Sequence, residues 1–327
     1  MLCEIGVFII FIMRILSKRR WLAGWSALSL LAASSVPVHA ATGKDGMQKL
    51  DALFAEDMDF VVNQGGPYQN AEEIRRGADT LFWSITHPYC PHCPIAPSLS
   101  EQQEGERLQR LLNDAREGVP EAQHELGVRY FLGQGLAYDA SEGVAWIQKA
   151  ADNGDIRATL SLAEMYDSGF GVAVDKQKAA ALFQLLMQQP GNRSVTERLG
   201  EMYEFGLGVP VDYQQAMGLY QQAAAHAAST FSYFSQSAQF KIGRLYAQGK
   251  GVQQDYQMAA AWFLKSTEPG IGDGGMLPPS QCALAVMYAT GLGVTFDVRE
   301  RDYWLQRPGT LNMKICQQLE QEQETKQ

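Results

Sequence analysis

A fourteen-residue string returns five times along this 327-residue chain. It reads LGVRYFLGQGLAYD at residues 126–139, LAEMYDSGFGVAVD at 162–175, LGEMYEFGLGVPVD at 199–212, IGRLYAQGKGVQQD at 242–255 and LAVMYATGLGVTFD at 284–297. Its tyrosines, Tyr130, Tyr166, Tyr203, Tyr246 and Tyr288, stand 36, 37, 43 and 42 residues apart. Self-similarity at a nearly fixed period constrains the fold more than any single motif. A short unit cannot bury its own apolar face, so it stacks on its neighbours, and the product is a solenoid, an architecture that usually binds rather than catalyses. No insertion enters the string, so the variation in period falls between the copies.

About forty residues hold two helices and two turns. The first helix of each unit, helix A, runs into the tyrosine and is stopped by Gly-x-Gly, because glycine accepts the left-handed backbone of a helix end. The aspartates that close the strings, Asp139, Asp175, Asp212, Asp255 and Asp297, are positioned as N-caps of a second, Ala-rich helix B. Asp139 with Glu142, Asp212 with Gln215 and Asp297 with Glu300 have capping-box spacing. In helix B the large residues recur at three and four, as in Val144, Trp146, Ile147 and Ala150, then Ala179, Leu182, Phe183 and Leu186. This is the pattern of core packing, not of an aromatic ligand site.

These residues resemble the Sel1-like repeat family, relatives of the tetratricopeptide repeats. The first unit carries the family pattern in Ala122, Leu126, Gly127, Tyr130, Gly133, Gly135, Asp139, Ala145, Trp146, Lys149, Ala150, Ala151 and Gly154, departing at Leu136 and Gly143. The fourth keeps Ala238, Tyr246, Gly249, Gly251, Val252, Asp255, Ala259, Trp262 and Lys265. The resemblance covers residues 104–305. It implies an all-α, right-handed α-solenoid of about five helix-pair repeats that works as a protein-interaction scaffold, often in bacterial envelopes.

Residues 1–40 read as an export signal: a basic patch at Lys18, Arg19 and Arg20, an apolar stretch at 21–31, and Val38-His39-Ala40 before a mature start near Ala41. Met13 opens a more conventional signal than Met1. Residues 41–100 form an N-terminal cap, with an amphipathic helix at about 47–63, a second helix at 70–82 and a proline-rich connector. Residues 101–308 are the solenoid, and 309–327 a capping helix and tail. The whole chain has a formal net charge of −9, and the leader holds four basic residues against one acid, so export takes the charge to −12. Such a chain is a poor nucleic-acid ligand, since phosphate contacts need clustered Lys and Arg. Its membrane contact is confined to the export signal, and the expected location is periplasmic or secreted.

Four cysteines remain after the leader: Cys90, Cys93, Cys282 and Cys316. In an oxidising compartment an even count implies two disulfides, with three possible connectivities. Adjacent A-series helices favour Cys282 with Cys316, leaving Cys90 with Cys93. The Cys90-Pro-His-Cys93 string also matches the redox motif of thioredoxin-fold oxidases, but no βαβ pattern surrounds it. His87, Cys90, His92 and Cys93 could in principle bind metal; adjacent His92 and Cys93 do not easily face one ion. His124 and His226 have no Ser or Asp partner nearby in sequence, and no Ser-x-x-Lys or phosphate loop is present. The expectation is therefore no catalytic residue, no cofactor and no metal.

A protein partner is expected on the face lined by the A helices. Its candidate exposed positions are Arg129, Glu164, Asp167, Glu201, Glu204, Arg244 and Gln248. Four carboxylates among them fit a partner with a basic surface, and reversing Glu201 and Glu204 is expected to leave thermal stability nearly unchanged. Thiol–disulfide or metal chemistry at 90–93, and glycan binding, are the alternatives. Two inserts lengthen the third and fourth units: 226–238 is either a projecting loop or an extended helix B, and 268–280 reads as a flexible loop.

Overall fold

Each helix pair bends where the glycines and the aspartate of the string dictate. The computed structural model describes residues 43–63, 101–189, 193–225, 233–267 and 278–324. These residues form thirteen α-helices and no strand. Helix α1 (Gly43–Asn63) stands first, then α2 (Glu101–Arg116). Five A–B pairs follow: α3 (Pro120–Leu132) with α4 (Ala140–Asp152), α5 (Ile156–Ser168) with α6 (Lys176–Met187), α7 (Arg193–Phe205) with α8 (Tyr213–Ala225), α9 (Tyr233–Gln248) with α10 (Tyr256–Ser266), and α11 (Pro278–Thr290) with α12 (Val298–Leu305). A 3-10 turn at Thr310–Asn312 leads into α13 (Lys314–Glu324). Each A helix packs on its own B helix, and each of the first four B helices packs on the next A helix. The result is an α-solenoid.

The turn is the same in all five pairs. Both glycines adopt φ between 66° and 80°. The residue between them sends its amide back to the carbonyl preceding the tyrosine, as in Leu207 to Met202 and Lys250 to Leu245, at 2.9 and 3.1 Å. The aspartate amide then donates to the tyrosine carbonyl in every unit, at 2.9–3.1 Å. The aspartate carboxylate accepts the first free amides of helix B, including Glu142, Lys178, Gln215, Met258 and Arg299. The reciprocal half of the capping box does not form, for a physical reason: the tyrosine carbonyl already holds the aspartate amide. Gln215 turns its side chain onto the Asp212 carboxylate instead, at 3.1 Å.

The second glycine also sets the stacking of units. A Cβ at Gly208 would lie 2.0 Å from the Lys176 carbonyl oxygen, and one at Gly251 would lie 2.6 Å from that of Tyr213. Both carbonyls open the B helix of the preceding unit, so backbone rests on backbone. The core runs along the pairs as one buried residue eight places after each aspartate: Ile147, Phe183, Tyr220, Phe263 and Leu305.

Helix α1 does not cap the first unit. Its Leu50, Leu53 and Phe54 are buried in one cluster with Phe240 of α9, Phe263 of α10, Cys282 and Leu284 of α11, and Cys316 and Leu319 of α13. The Phe54 ring centroid is 6.2 Å from those of both Phe240 and Phe263, and Lys49 Nζ is 2.7 Å from Glu322 of α13. The expected amphipathic helix is present, but its apolar stripe finds its match at the other end of the chain. Within the cluster Cys282 and Cys316 are joined, with Cα atoms 5.8 Å apart, tying α13 to α11. The leader, the segment 64–100 with Cys90 and Cys93, and most of both inserts lie outside the described residues. The end of the first insert enters α9, so it extends the following helix A and not helix B, the expected helical alternative. No described helix is long and apolar enough to cross a membrane.

Two alanine substitutions separate stacking glycines from incidental ones. Gly208→Ala combines a left-handed backbone with a backbone clash, and it should lower the unfolding free energy by ~2 kcal/mol or more. Gly218→Ala, on exposed helix with nothing within 4 Å of the new methyl, should raise it by ~0.5–1 kcal/mol. Urea unfolding followed by circular dichroism measures both.

Candidate functional site

On the A helices the positions flanking Leu-Gly and following the tyrosine form columns that run from unit to unit. In α5, α7 and α9 these columns are charged. Arg198 of α7 reaches back to Asp167 of α5, with Nε 2.7 Å from Oδ2 and Nη2 3.0 Å from Oδ1. It also holds Glu201 one turn on, at 2.6 Å. Lys176, at the start of α6, reaches the same Asp167 at 2.8 Å. Lys241 of α9 reaches back to Glu201 at 2.6 Å and to Glu197, whose carboxylate Ser237 also contacts. Arg244 of α9 reaches back to Glu204 at 2.8 Å, and the Tyr220 hydroxyl donates to the same oxygen at 2.7 Å. Helices α7 and α9 therefore each hold acids of the preceding A helix with their own cations.

The expected exposure of these positions is corrected by the structure. Glu204 and Arg244 are each 2 % exposed, Arg129 is 6 % and Glu201 9 %, while Glu164, Asp167 and Gln248 are half-buried. The cause is mutual pairing: a charge opposed by an ion of the next helix can leave water, and an unopposed one cannot. Arg129 stands apart from the ladder, held by Glu104 of α2 at 2.7 Å and by Glu125 at 3.2 Å. The structure thus brings Asp167, Glu201, Glu204 and Arg244 into one ladder. Glu197, Arg198, Lys241 and Tyr220 belong to it as well, and sequence reading passed over them. Their signal lay in aligning the columns, where Arg198 and Lys241 occupy one position in successive units.

Burial and pairing oppose each other in the titration of these groups. Burial pushes the Glu201 carboxyl up, but Lys241 and Arg198 more than offset it and hold the pKa below the ordinary value. Burial pulls Lys241 down, and Glu201 and Glu197 raise it above its ordinary value. Glu164 has no such help. Burial, and then the neighbouring Asp167, push its pKa to about 8, and its buried Oε2 has no hydrogen-bond partner among the described residues. Five carboxylates, Glu164, Asp167, Glu197, Glu201 and Glu204, thus stand with four cations, Lys176, Arg198, Lys241 and Arg244. With Glu164 protonated the set is neutral.

One buried pair has the residue types of acyl-transfer chemistry. His124 Nε2 lies 3.1 Å from Ser161 Oγ. The Ser161 hydroxyl also lies within donating distance of the Arg157 carbonyl, at 3.0 Å. Burial pulls the His124 pKa to about 4, and Ser161 is fully buried. Among the described residues no group of three or more His, Cys, Asp or Glu could hold a metal ion.

A family model described as Sel1 repeat matches residues 120–155, 156–186, 197–227, 236–268 and 278–299, bounds that follow the helix pairs. The chain is similar in structure to a protective antigen of uropathogenic Escherichia coli strains that displays an SLR fold. The identity is 26 % and the TM-score 0.54, over 82 % of this chain and 50 % of that one. This chain therefore spans about half the length of that relative. A Sel1 repeat protein from Oxalobacter formigenes is similar in fold, at 24 % identity and a TM-score of 0.51, over 71 % of this chain and 83 % of that one. No curated protein matches the chain.

Since Glu204 and Arg244 are buried together, reversing the charge of Glu201 and Glu204 is not neutral for stability. Glu204→Met alone leaves Arg244 buried without the Glu204 carboxylate and should cost ~3–5 kcal/mol. Adding Arg244→Met should recover more than half of that loss, as read from urea midpoints of the two variants. For Glu164 the folded pKa lies above the ordinary 4.5, so the folded state is the one that retains the proton. Its stability penalty is absent below about pH 4.5, grows as pH rises, and is complete above about pH 8. Glu164→Gln should match the wild type at pH 5 and exceed it by ~2–4 kcal/mol at pH 8.5, measured by denaturation at both pH values.

Proposed function

The chain belongs to the Sel1 repeat family, whose repeats are generally protein-interaction modules, and on that premise we propose a non-enzymatic scaffold that binds a protein partner on its A-helix face. The observation that carries this reading is the surplus carboxylate of the ladder. Among the described residues the four cations are matched by four acids of their own chain, and Glu164 is the fifth acid, its Oε2 without a donor, as is Oε1 of the paired Glu204. A lysine or arginine side chain is the group that would complete the set, by charge-assisted hydrogen bonding at a half-buried position where the gain exceeds that at an open surface. The net charge of the exported chain favours the same class of partner through long-range attraction.

We place this activity in the bacterial envelope or the secreted space, because residues 1–40 have the order of an export signal. The reading is one of recognition without turnover, in keeping with the general role of Sel1 repeats as interaction modules.

Site-specific photocrosslinking in cells tests the face. A photoreactive residue at Gln248 or Glu164, on the A helices, should capture one recurring protein rich in lysine and arginine. The same residue at Leu185 or Tyr303, exposed on B helices, should not. Capture from the B-helix positions alone would overturn the proposed face. A partner retained in full at high salt would overturn its electrostatic basis.

A further inference from the structure

The A-helix columns change character in the last unit. Where α7 and α9 carry Arg198 and Lys241, α11 carries Ala283; where they carry Glu201 and Arg244, it carries Val286; where α7 carries Glu204, it carries Ala289. All three α11 residues are buried. It is this helix on which α1 packs, through Leu50, Leu53 and Phe54 at helical spacing. The approach is close, since a Cβ at Gly46 would lie 2.5 Å from Thr290 Oγ1. At the flank Lys49 meets Glu322 of α13. Nothing in the chain order requires this arrangement. A stretch of 37 residues, 64–100, separates α1 from α2, and the surface that α1 covers belongs to residues far along the chain.

We propose that the apolar face of α11, with Phe240 and α13 beside it, is a helix-docking groove of which α1 is the exchangeable resident. Its outside ligand is a partner protein's amphipathic helix with bulky apolar residues at the spacing of Leu50, Leu53 and Phe54. Helix-in-groove recognition reads i, i+3 and i+4 anchors of this kind. The tether makes α1 an intramolecular competitor, so a partner meets the groove at an affinity reduced by the fraction of time that α1 is seated. This inference is independent of the ladder: a basic partner on α5–α9 and a helix on α11 use different residues, and either can fail alone.

The test uses the full exported chain and a fluorescein-labelled peptide with the sequence of residues 43–63. Leu53→Asp with Phe54→Asp unseats α1. The substituted chain should bind the peptide at least about tenfold more tightly than the wild type, and a peptide carrying the same two substitutions should not bind. Equal binding to both chains, or binding to neither when the substituted chain keeps its helical circular dichroism, would overturn the proposal. If the substituted chain fails to fold, hydrogen exchange on the wild type decides. Amides of α1 exchanging at least about tenfold faster than those of α11 support an exchangeable helix; exchange of both in step makes α1 an integral part of the core and overturns it.

Discussion

One aspartate per unit holds the two sides of each bend. Its amide closes on the tyrosine carbonyl of the helix just ended, and its carboxylate takes the free amides of the helix about to begin. The direction of helix B relative to helix A is therefore set by two kinds of hydrogen bond from one residue. The flanking glycines make that geometry reachable, and the second of them lets the bend rest on the backbone of the unit before it. A solenoid contacts only its neighbours, so whatever fixes one junction fixes the array. The same turn in five copies gives the A helices a common face and brings equivalent positions into columns.

Those columns carry the second constraint. Buried ion pairs contribute little net stability against apolar residues of equal volume, because desolvation offsets the attraction, but a mispaired one is costly. Here the cations of α7 and α9 hold acids of the A helix before each: Arg198 with Asp167, Lys241 with Glu197 and Glu201, Arg244 with Glu204. A unit stacked out of order would bury Arg244 without Glu204, or Lys241 without its two acids. The ladder thus favours one order of units that otherwise share the same buried core positions. Glu164 stands at its open end, beside Asp167 and without a donor for Oε2.

Most of the fold was legible because its determinants are local. The Gly-x-Gly stop, the aspartate cap and the buried position eight residues later are each fixed by a few neighbouring residues, and the helix pairs follow the repeats closely. The site was legible as a face but not as a chemistry. Glu201 and Glu204 read as solvent-exposed acids in a single unit; only the adjacent unit supplies Lys241 and Arg244, and a charge surrounded by its own counterions is no longer a surface charge. The capping boxes failed for a related reason, since spacing alone does not reveal that the tyrosine carbonyl competes for the aspartate amide. The docking of α1 was beyond local reading altogether. Its stripe of Leu50, Leu53 and Phe54 identifies an apolar partner without saying which of five similar A helices supplies it.

The columns do say which. A helix presenting leucine and phenylalanine to α7 or α9 would meet a face whose Glu201, Lys241 and Arg244 are already buried in ion pairs, with little hydrocarbon left to remove from water. Over α11 the equivalent places are Ala283, Val286 and Ala289, and the same helix removes only hydrocarbon from water. The alanines also allow the close approach that Gly46 makes against Thr290. One set of positions therefore changes character along a single face: charged and paired in α5, α7 and α9, apolar in α11. The repeat supplies a uniform scaffold, and the residues that the repeat pattern leaves unspecified decide what each stretch of it can hold.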